Sequence, residues 1–270
     1  MVYLEPVHLG WKPLIKSWYE HNTEVIPLNF LDIIVKNVDN IFDKLLPFVR
    51  EYCKEIIESV DCNIIQSCLN MISAFMNEDT LDKLKKTAVY PEKIVLTYVV
   101  FSIIWSLGAN LHDSSRKKFS EALKAEITLI MPEFPDGDVY EYGIDSMNKF
   151  APWTEQIPDF SFDPRKSFFE ILVPTSDTVK YKFLLQTLSF ANYNVLITGE
   201  TGVGKSVIVK DFLMNTPEEY VSAFVNFSGK TTTQNLQAAF EGNLEAKRKT
   251  LLGPPGGKKM IFFIDDLNMP

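Results

Sequence analysis

The chain has 270 residues, of which 46% are hydrophobic and 23% are charged, a composition typical of globular proteins and not of disordered or low-complexity ones. Its 27 basic and 35 acidic residues give a formal net charge of -8, and the lack of a basic stripe argues against nucleic acid as a partner. Three cysteines without a CxxC spacing argue against a disulfide framework, and three histidines without a pair at helical ligand spacing argue against a zinc site.

The first residues, Met1 to Pro6, lack the basic start and apolar run of a signal peptide, so we expect the protein in the cytoplasm. The segment Ile94 to Leu107 is mostly apolar, but its 14 residues are fewer than the roughly 20 that cross a bilayer. We therefore predict no membrane partner. This segment is instead predicted to be a helix buried on most sides.

From residue 10 to about residue 130, apolar residues recur at helical spacing. One stripe contains Ile64, Ile65, Cys68, Leu69, Ile72, Phe75 and Met76. A second contains Ile41, Phe42, Leu45, Leu46, Val49, Tyr52, Cys53, Ile56 and Ile57, with Pro47 requiring a kink or a new helix start. Ser114 to Ile130 reads as a last, more charged helix. The stripes predict an all-helical subdomain with a packed core, the alternative being a partner-binding surface.

Five of the fifteen prolines fall between Met131 and Pro164, which predicts an extended connector over residues 131–168. Trp153 and Phe160 indicate that this connector packs on a surface, although a flexible tether is the alternative.

After the connector the pattern predicts alternating strands and helices. Phe169 to Pro174 reads as a short edge strand, and Tyr193 to Thr198, Val221 to Phe227 and Met260 to Ile264 read as buried parallel strands. Thr178 to Ser189, Ser206 to Met214 and Thr231 to Leu251 read as helices. This order predicts an α/β fold with a right-handed parallel sheet and flanking helices over residues 169–270.

The segment Gly199 to Ser206 satisfies GxxxxGK[ST] at every fixed position, between a predicted strand and a predicted helix. Its glycines allow backbone N–H groups to surround phosphates at the helix N-terminus. Lys205 is predicted to reach the β and γ phosphates and Ser206 to bind Mg²⁺. The predicted cofactor is therefore ATP or ADP with Mg²⁺.

The third predicted strand ends in Asp265 and Asp266, the form of a Walker B strand. Asp265 is predicted to hold the metal, and Asp266 to polarise the attacking water where a Glu is usual. Because Asp is one methylene shorter than Glu, nucleotide binding is a firmer prediction than hydrolysis. A solvated strand end is the alternative for both. Lys247, Arg248 and Lys249 are interpreted as a solvated helix end, with contact to an anion or a partner as the alternative.

The chain resembles the dynein heavy chains, microtubule motors with a ring of six AAA+ modules, and within them the axonemal branch. The residues that carry the resemblance are Ile171 to Thr175, Gly199 to Ser206, Val225 to Ser228, Leu252 to Lys259 and Asp265 to Pro270, which look like the third AAA+ module, together with Met1 to Pro6 and Leu9 to Trp11, which look like the exit of the second.

The resemblance implies four segments: 1–9, the end of the preceding AAA+ large subdomain; 10–130, a helical AAA+ lid; 131–168, the connector; and 169–270, a P-loop large subdomain truncated after Walker B. It implies that adenine rests on Val173, Pro174 and Thr175, the alternative being a plain edge strand without a ligand. It also implies that the phosphate loop binds nucleotide through Gly199, Glu200, Thr201, Gly202, Val203, Gly204, Lys205, Ser206 and the following Val207, although Glu200 and Thr201 are variable positions of the motif.

The family's third module implies a regulatory ATP site, with neighbouring AAA+ modules, the microtubule (through regions outside this chain) and dynein intermediate and light chains as partners, in the axoneme of a cilium or flagellum. The family order would place the sensor-bearing strand after residue 270, so we expect an incomplete sheet, a fragment of a longer polypeptide, and negligible hydrolysis in isolation. A self-contained P-loop kinase and a nucleotide-stabilised scaffold are the alternatives.

Overall fold

The structure is a computed structural model that describes residues 10–86, 89–160 and 172–269. The chain divides into two compact units, residues 1–158 with 190–193 and residues 159–189 with 194–270. The predicted end of a preceding subdomain, residues 1–9, lies outside the described residues.

The described part of the first unit is built mainly from helices, of which α2 and α3 each bury one apolar stripe. Helix α2 buries a stripe from Phe30 to Val49, and α3 buries a stripe from Ile64 to Phe75. Both stripes pack on α5, and α1 and α6 pack on α2. The helices are α1 (Lys12–Asn22), α2 (Leu28–Tyr52), α3 (Asp61–Phe75), α4 (Glu78–Lys86), α5 (Pro91–Leu107) and α6 (Asp113–Ile130).

Helix α5 is the centre of this core, and the prediction of a helix buried on most sides is confirmed. Every residue from Tyr98 to Leu107 is buried, so this part of the helix has no solvent face and no amphipathic pattern. Glu92 and Lys93, in the first turn of the helix, are exposed. The ring of Tyr98 stacks on Phe75 with centroids 4.7 Å apart. None of the described helices combines the length and the apolar character that crossing a membrane requires.

Helix α2 continues through Pro47, which is exposed, and ends at Tyr52. The predicted stripe was therefore right up to Val49, whose side chain is fully buried, and wrong at its end. Ile56 and Ile57 follow the helix, and their side chains are 55% and 48% exposed. The helix stops at Cys53, which adopts an extended backbone and thereby breaks the helical spacing.

The described part of the predicted connector is folded rather than extended. Strands β1 (Tyr142–Ile144) and β2 (Phe150–Pro152) form an antiparallel hairpin, flanked by 3-10 turns at Val139–Glu141 and Trp153–Gln156. Trp153 is 1% exposed, because its ring lies against Gly143, where a Cβ would come within 2.4 Å of it. Phe160 is 47% exposed, so its predicted packing is not observed.

The second unit contains a two-stranded parallel sheet in its described residues. Strand β3 pairs with β6 from Tyr220 opposite Lys259 to Asn226 opposite Asp265. The predicted α/β class, with a helical part followed by a parallel sheet and flanking helices, is confirmed. The elements are α7 (Ser176–Phe190), α8 (Lys205–Met214), β3 (Tyr220–Asn226), α9 (Thr233–Gly242), β4 (Glu245–Arg248), β5 (Leu251–Gly253) and β6 (Lys259–Asp265).

Two of the strands predicted over residues 169–270 are not observed in the part of the chain that the structure describes. The run Tyr193 to Thr198 has no regular structure, and Leu196 is 73% exposed. A strand needs a neighbour to exchange backbone hydrogen bonds with it, and none of the described strands pairs with this run. The predicted edge strand lies outside the described residues at 169–171 and is irregular at 172–174.

The helix predicted over Thr231 to Leu251 was too long. Helix α9 ends at Gly242, since a Gly-Asn pair is a common helix stop, and the chain then forms the antiparallel pair β4 and β5. Lys247 and Arg248 therefore lie in a strand, and not at a helix end as predicted, while Lys249 follows it.

Candidate functional site

The loop before α8 has the backbone conformation that the phosphate-binding motif requires. Gly202 and Gly204 adopt φ values of 87° and 86°, in the left-handed region that glycine occupies without strain. Gly204 also caps α8. At both glycines a Cβ would meet nothing within 4 Å, so the loop leaves open space at a helix N-terminus, where anions are favoured.

The Lys205 side chain folds back over this loop. Its Nζ donates hydrogen bonds to the carbonyl oxygens of Gly199 at 2.9 Å and Glu200 at 2.6 Å. The ammonium group is thereby held above the loop backbone, where it would meet the oxygens of a phosphate bound by the loop N–H groups. The α8 N-terminus and Lys205 place positive charge on the same side.

Ser206 and Asp265 meet at the end of the parallel sheet. Ser206 is the second residue of α8, Asp265 is the last residue of β6, and the Ser206 Oγ donates to the Asp265 Oδ1 at 2.9 Å. The Asp265 carbonyl also accepts from the Phe227 backbone N–H at 3.0 Å, so the strand is anchored where its carboxylate projects. Both side chains are half-buried.

Asp266 has a different environment from Asp265. Its φ is 54°, which is uncommon for a residue other than glycine. Its backbone N–H donates to the Asp265 Oδ1 at 3.2 Å, and its carbonyl accepts from the Met269 N–H at 3.0 Å. The turn therefore ends the strand and leaves the Asp266 side chain exposed to solvent.

The remaining predicted nucleotide contacts are less tightly organised. Glu200, Thr201, Val203 and Val207 are exposed. Val173 is 55% exposed, and Thr175 lies in a turn at the start of α7, where its Oγ1 accepts from the Thr178 N–H at 3.2 Å. These contacts fix Thr175 to α7, whereas a role for residues 173–175 in holding adenine stays a prediction.

The donor set fits a Mg²⁺-nucleotide. Hydroxyl and carboxylate oxygens are the ligands that Mg²⁺ takes from proteins, and Ser206 and Asp265 bring one of each within 2.9 Å of one another. The loop adds the Lys205 ammonium and unhindered glycine backbone for phosphate oxygens. Ser206 and Asp265 would hold the metal.

One feature near the site could not be found from sequence spacing. Lys182 on α7 and Asp211 on α8 are 29 residues apart along the chain, and their side chains form an ion pair at 2.6 Å. Neither residue belongs to a motif. A charged residue on the buried side of a predicted helix would have been the available signal.

Two family models match the chain. Residues 34–155 match the dynein heavy chain AAA lid domain, and residues 160–270 match the P-loop containing dynein motor region. The two matches fall on the helical part and on the phosphate-loop part. They do not favour a self-contained kinase.

Curated relatives match over the whole chain. Dynein axonemal heavy chain 6 of Homo sapiens is 33% identical over 280 residues, which is 100% of this chain and 7% of the relative. Dynein axonemal heavy chain 2 of Mus musculus is 35% identical over 277 residues, and the ciliary dynein beta chain of Heliocidaris crassispina is 33% identical over 280 residues; both comparisons cover 100% of this chain and 6% of the relative. The chain thus spans less than a tenth of these relatives.

Proposed function

We propose, from the premise that this chain belongs to the dynein heavy chain family, that its second unit binds Mg-ATP or Mg-ADP as one AAA+ site of an axonemal motor ring. The observation that carries the proposal is the Ser206–Asp265 hydrogen bond of 2.9 Å beside a phosphate loop with two left-handed glycines. The phosphate-loop motif and the Walker B strand end lie 59 residues apart along the chain and meet at one point.

Each residue has a proposed role at this site. The backbone from Gly199 to Gly204 binds the phosphates, and Lys205 binds the β and γ phosphate oxygens. Ser206 and Asp265 hold Mg²⁺, which supplies charge neutralisation at the phosphates. Val173, Pro174 and Thr175 contact the adenine. Val207, which follows the phosphate loop, contributes a further nucleotide contact.

Asp266 is the proposed group for orienting an attacking water. It follows the metal-binding carboxylate directly, and its left-handed backbone turns it away from the strand direction. Its shorter side chain, compared with Glu, makes slow hydrolysis the expectation. A site that binds nucleotide and turns it over slowly suits a regulatory role, in which it gates the principal motor site of the same ring.

The wider setting is proposed from the relatives, whose names specify axonemal and ciliary dyneins. The proposed neighbours are the other AAA+ modules of the same heavy chain. Microtubule-based movement of a cilium or flagellum is the proposed activity of the whole protein, with dynein intermediate and light chains as further partners and the axoneme as its location.

Calorimetric titration of Mg-ATP into the 270-residue chain tests the proposal. Lys205→Ala is expected to weaken binding at least tenfold, since it removes the ammonium group aimed at the phosphates. Lys210→Ala is the matched control, because Lys210 is an exposed lysine on the same helix, and we expect it to bind as the unsubstituted chain does. Equal affinity of Lys205→Ala and Lys210→Ala would refute the phosphate-loop assignment.

A further inference from the structure

The adenine segment and the phosphate-binding residues of the proposed nucleotide site lie at the starts of two different helices, α7 and α8. Thr175, the last residue of the proposed adenine segment, directly precedes α7. It is tied to the first turn of α7 by hydrogen bonds with Thr178, which include those at 2.7 Å, 2.9 Å and 3.2 Å. Lys205 and Ser206, which would bind phosphate and metal, are the first two residues of α8. The relative position of α7 and α8 therefore sets the distance between the adenine end and the phosphate end of the site.

An ion pair joins these two helices. The Lys182 Nζ lies 2.6 Å from the Asp211 Oδ2, while the second carboxylate oxygen, Oδ1, accepts from the Asn215 Nδ2 at 3.1 Å. Both oxygens of Asp211 are thus used, and its orientation is fixed by Asn215, the residue that caps the end of α8. An oriented carboxylate loses less side-chain entropy when it pairs with a lysine than a freely rotating one does.

Among the ion pairs of the described residues of the second unit, this is the one in which both partners are less than a third exposed. The side chains of Lys182 and Asp211 are 29% and 24% exposed, so neither partner faces solvent freely. In the Lys180–Asp177 pair within α7, Lys180 is 15% exposed but Asp177 is 70% exposed, and in the Lys247–Glu245 pair the two side chains are 33% and 50% exposed. Screening by water and salt weakens exposed pairs most. The Lys182–Asp211 contact is therefore suited to hold the two helices in a defined relative position.

The Lys182–Asp211 ion pair lies close enough to the start of each helix to couple the adenine end of the proposed site to its phosphate end. Lys182 follows Thr175 by seven residues and Asp211 follows Lys205 by six, which is about 10.5 Å and about 9 Å along the respective helix axes. Helices are rigid over this length, so a change at the pair moves both helix starts. Thr178 and Lys182 are four residues apart and share a face of α7.

We propose that Lys182 and Asp211 are positioning residues that fix the adenine segment relative to the phosphate loop. The affinity of the site then depends on the adenine end of the nucleotide as well as on its phosphates. This inference rests on the proposed function. Neither side chain touches the nucleotide in this proposal. Their effect is specific to ligands that contact both helices at once, namely adenine nucleotides, and is absent for inorganic polyphosphate, which contacts α8 and its loop alone.

The test compares Mg-ATP with Mg-tripolyphosphate by calorimetric titration into the 270-residue chain. In Lys182→Met we expect affinity for Mg-ATP to fall about tenfold, a coupling of ordinary size, and affinity for Mg-tripolyphosphate to change less than threefold. Lys180→Met is the matched control, because it removes a lysine and an ion pair confined to α7, and it is expected to leave the ratio of the two affinities unchanged.

Two further variants keep the proposal falsifiable if Lys182→Met does not fold. Lys182→Arg retains the positive charge, and Lys182→Glu combined with Asp211→Lys restores an ion pair with exchanged partners; we expect both to keep the ATP-to-tripolyphosphate ratio within threefold of the unsubstituted chain. Cooperative thermal unfolding verifies that each variant is folded.

The outcomes separate the two proposals. If Lys182→Met loses affinity for both ligands equally, or for neither, the proposed coupling is overturned, whereas the proposed nucleotide site is not. A charge-exchanged variant that folds but loses ATP preference also overturns it. If the unsubstituted chain binds neither ligand, the proposed function itself fails, and the coupling with it.

Discussion

Ser206 and Asp265 show how single residues gain a role from their surroundings. Each is unremarkable by itself, a serine near a helix start and an aspartate at a strand end. Their 2.9 Å hydrogen bond arises because α8 and β6 direct these ends to one point. A serine hydroxyl and a carboxylate in contact would together supply the hard oxygen ligands that we propose for Mg²⁺, which neither residue would supply alone.

Cys68 shows the opposite case, a chemically reactive group that burial makes inert. Its side chain is fully buried on α3, and this burial raises the pKa of the thiol from 9.0 to about 12, although a hydrogen bond from Ser106 opposes the shift. The thiolate is the nucleophile. Cys68 is therefore almost wholly protonated in the folded chain at neutral pH.

We predict that iodoacetamide labels Cys68 only after unfolding, whereas Cys62, which is partly exposed, is labelled in the folded chain. Mass spectrometry of the peptides with and without urea measures this. Rapid labelling of Cys68 without denaturant would contradict its burial.

Because the folded pKa of Cys68 lies above its unfolded value, its contribution to stability is complete below pH 9 and is lost as the pH rises from 9 towards 12.

At the scale of elements, the junction of α2 and α3 is held by a charged cluster. The Arg50 Nε and Nη2 donate to the Asp61 Oδ1 at 2.9 Å and 2.6 Å, and its Nη1 donates to the Glu55 Oε2 at 2.6 Å. Glu55 also accepts from the Ser59 hydroxyl. One guanidinium group thus joins the end of α2, the intervening segment and the start of α3.

Replacing Arg50 by Met is expected to lower the free energy of unfolding by about 1–2 kcal/mol, since it removes charge-assisted hydrogen bonds that are partly shielded from solvent. The matched control is Lys86→Met, whose partner Asp82 and own side chain are 63% and 70% exposed and which should change stability by less than about 0.5 kcal/mol. Urea unfolding followed by tryptophan fluorescence gives both values. A loss no larger than the control's would show that the cluster stabilises nothing.

At the scale of the whole molecule, the two units differ in their spectroscopic reporters as well as in their fold. The chain has four tryptophans, Trp11, Trp18, Trp105 and Trp153, and all belong to the first unit. Every residue proposed to bind nucleotide belongs to the second. Tryptophan fluorescence therefore reports on the unit that does not contain the proposed site.

We predict that Mg-ATP raises the melting temperature of a transition seen by far-UV circular dichroism but silent in tryptophan fluorescence. A ligand that binds the folded state at a hundred times its Kd stabilises by about 2.7 kcal/mol, which is enough to detect. Lys205→Ala should abolish the shift. A shift confined to the tryptophan signal would place the binding residues in the first unit and contradict the proposed site.

The sequence predicted well those features that a single contiguous segment encodes. The buried helix from Ile94 to Leu107 was predicted because fourteen residues carry its apolar character together, and it lies within α5. The helix after the phosphate loop was predicted within one residue of α8. The end of α9 and the hairpin that follows it were missed, because Leu244 to Leu251 has no pattern that separates a helix from a short strand pair.

What the sequence determined by itself is the loop chemistry: eight adjacent residues specify a glycine-rich turn, a lysine and a serine at a helix start, and local backbone preferences are sufficient to form it. The tertiary structure decided which distant groups meet, namely Ser206 with Asp265 and Lys182 with Asp211. It also decided that Tyr193 to Thr198 is not a strand in the described chain. The physical reason is that contacts between distant residues and strand pairing depend on the path of the chain and on a partner's backbone, neither of which is written in the segment itself.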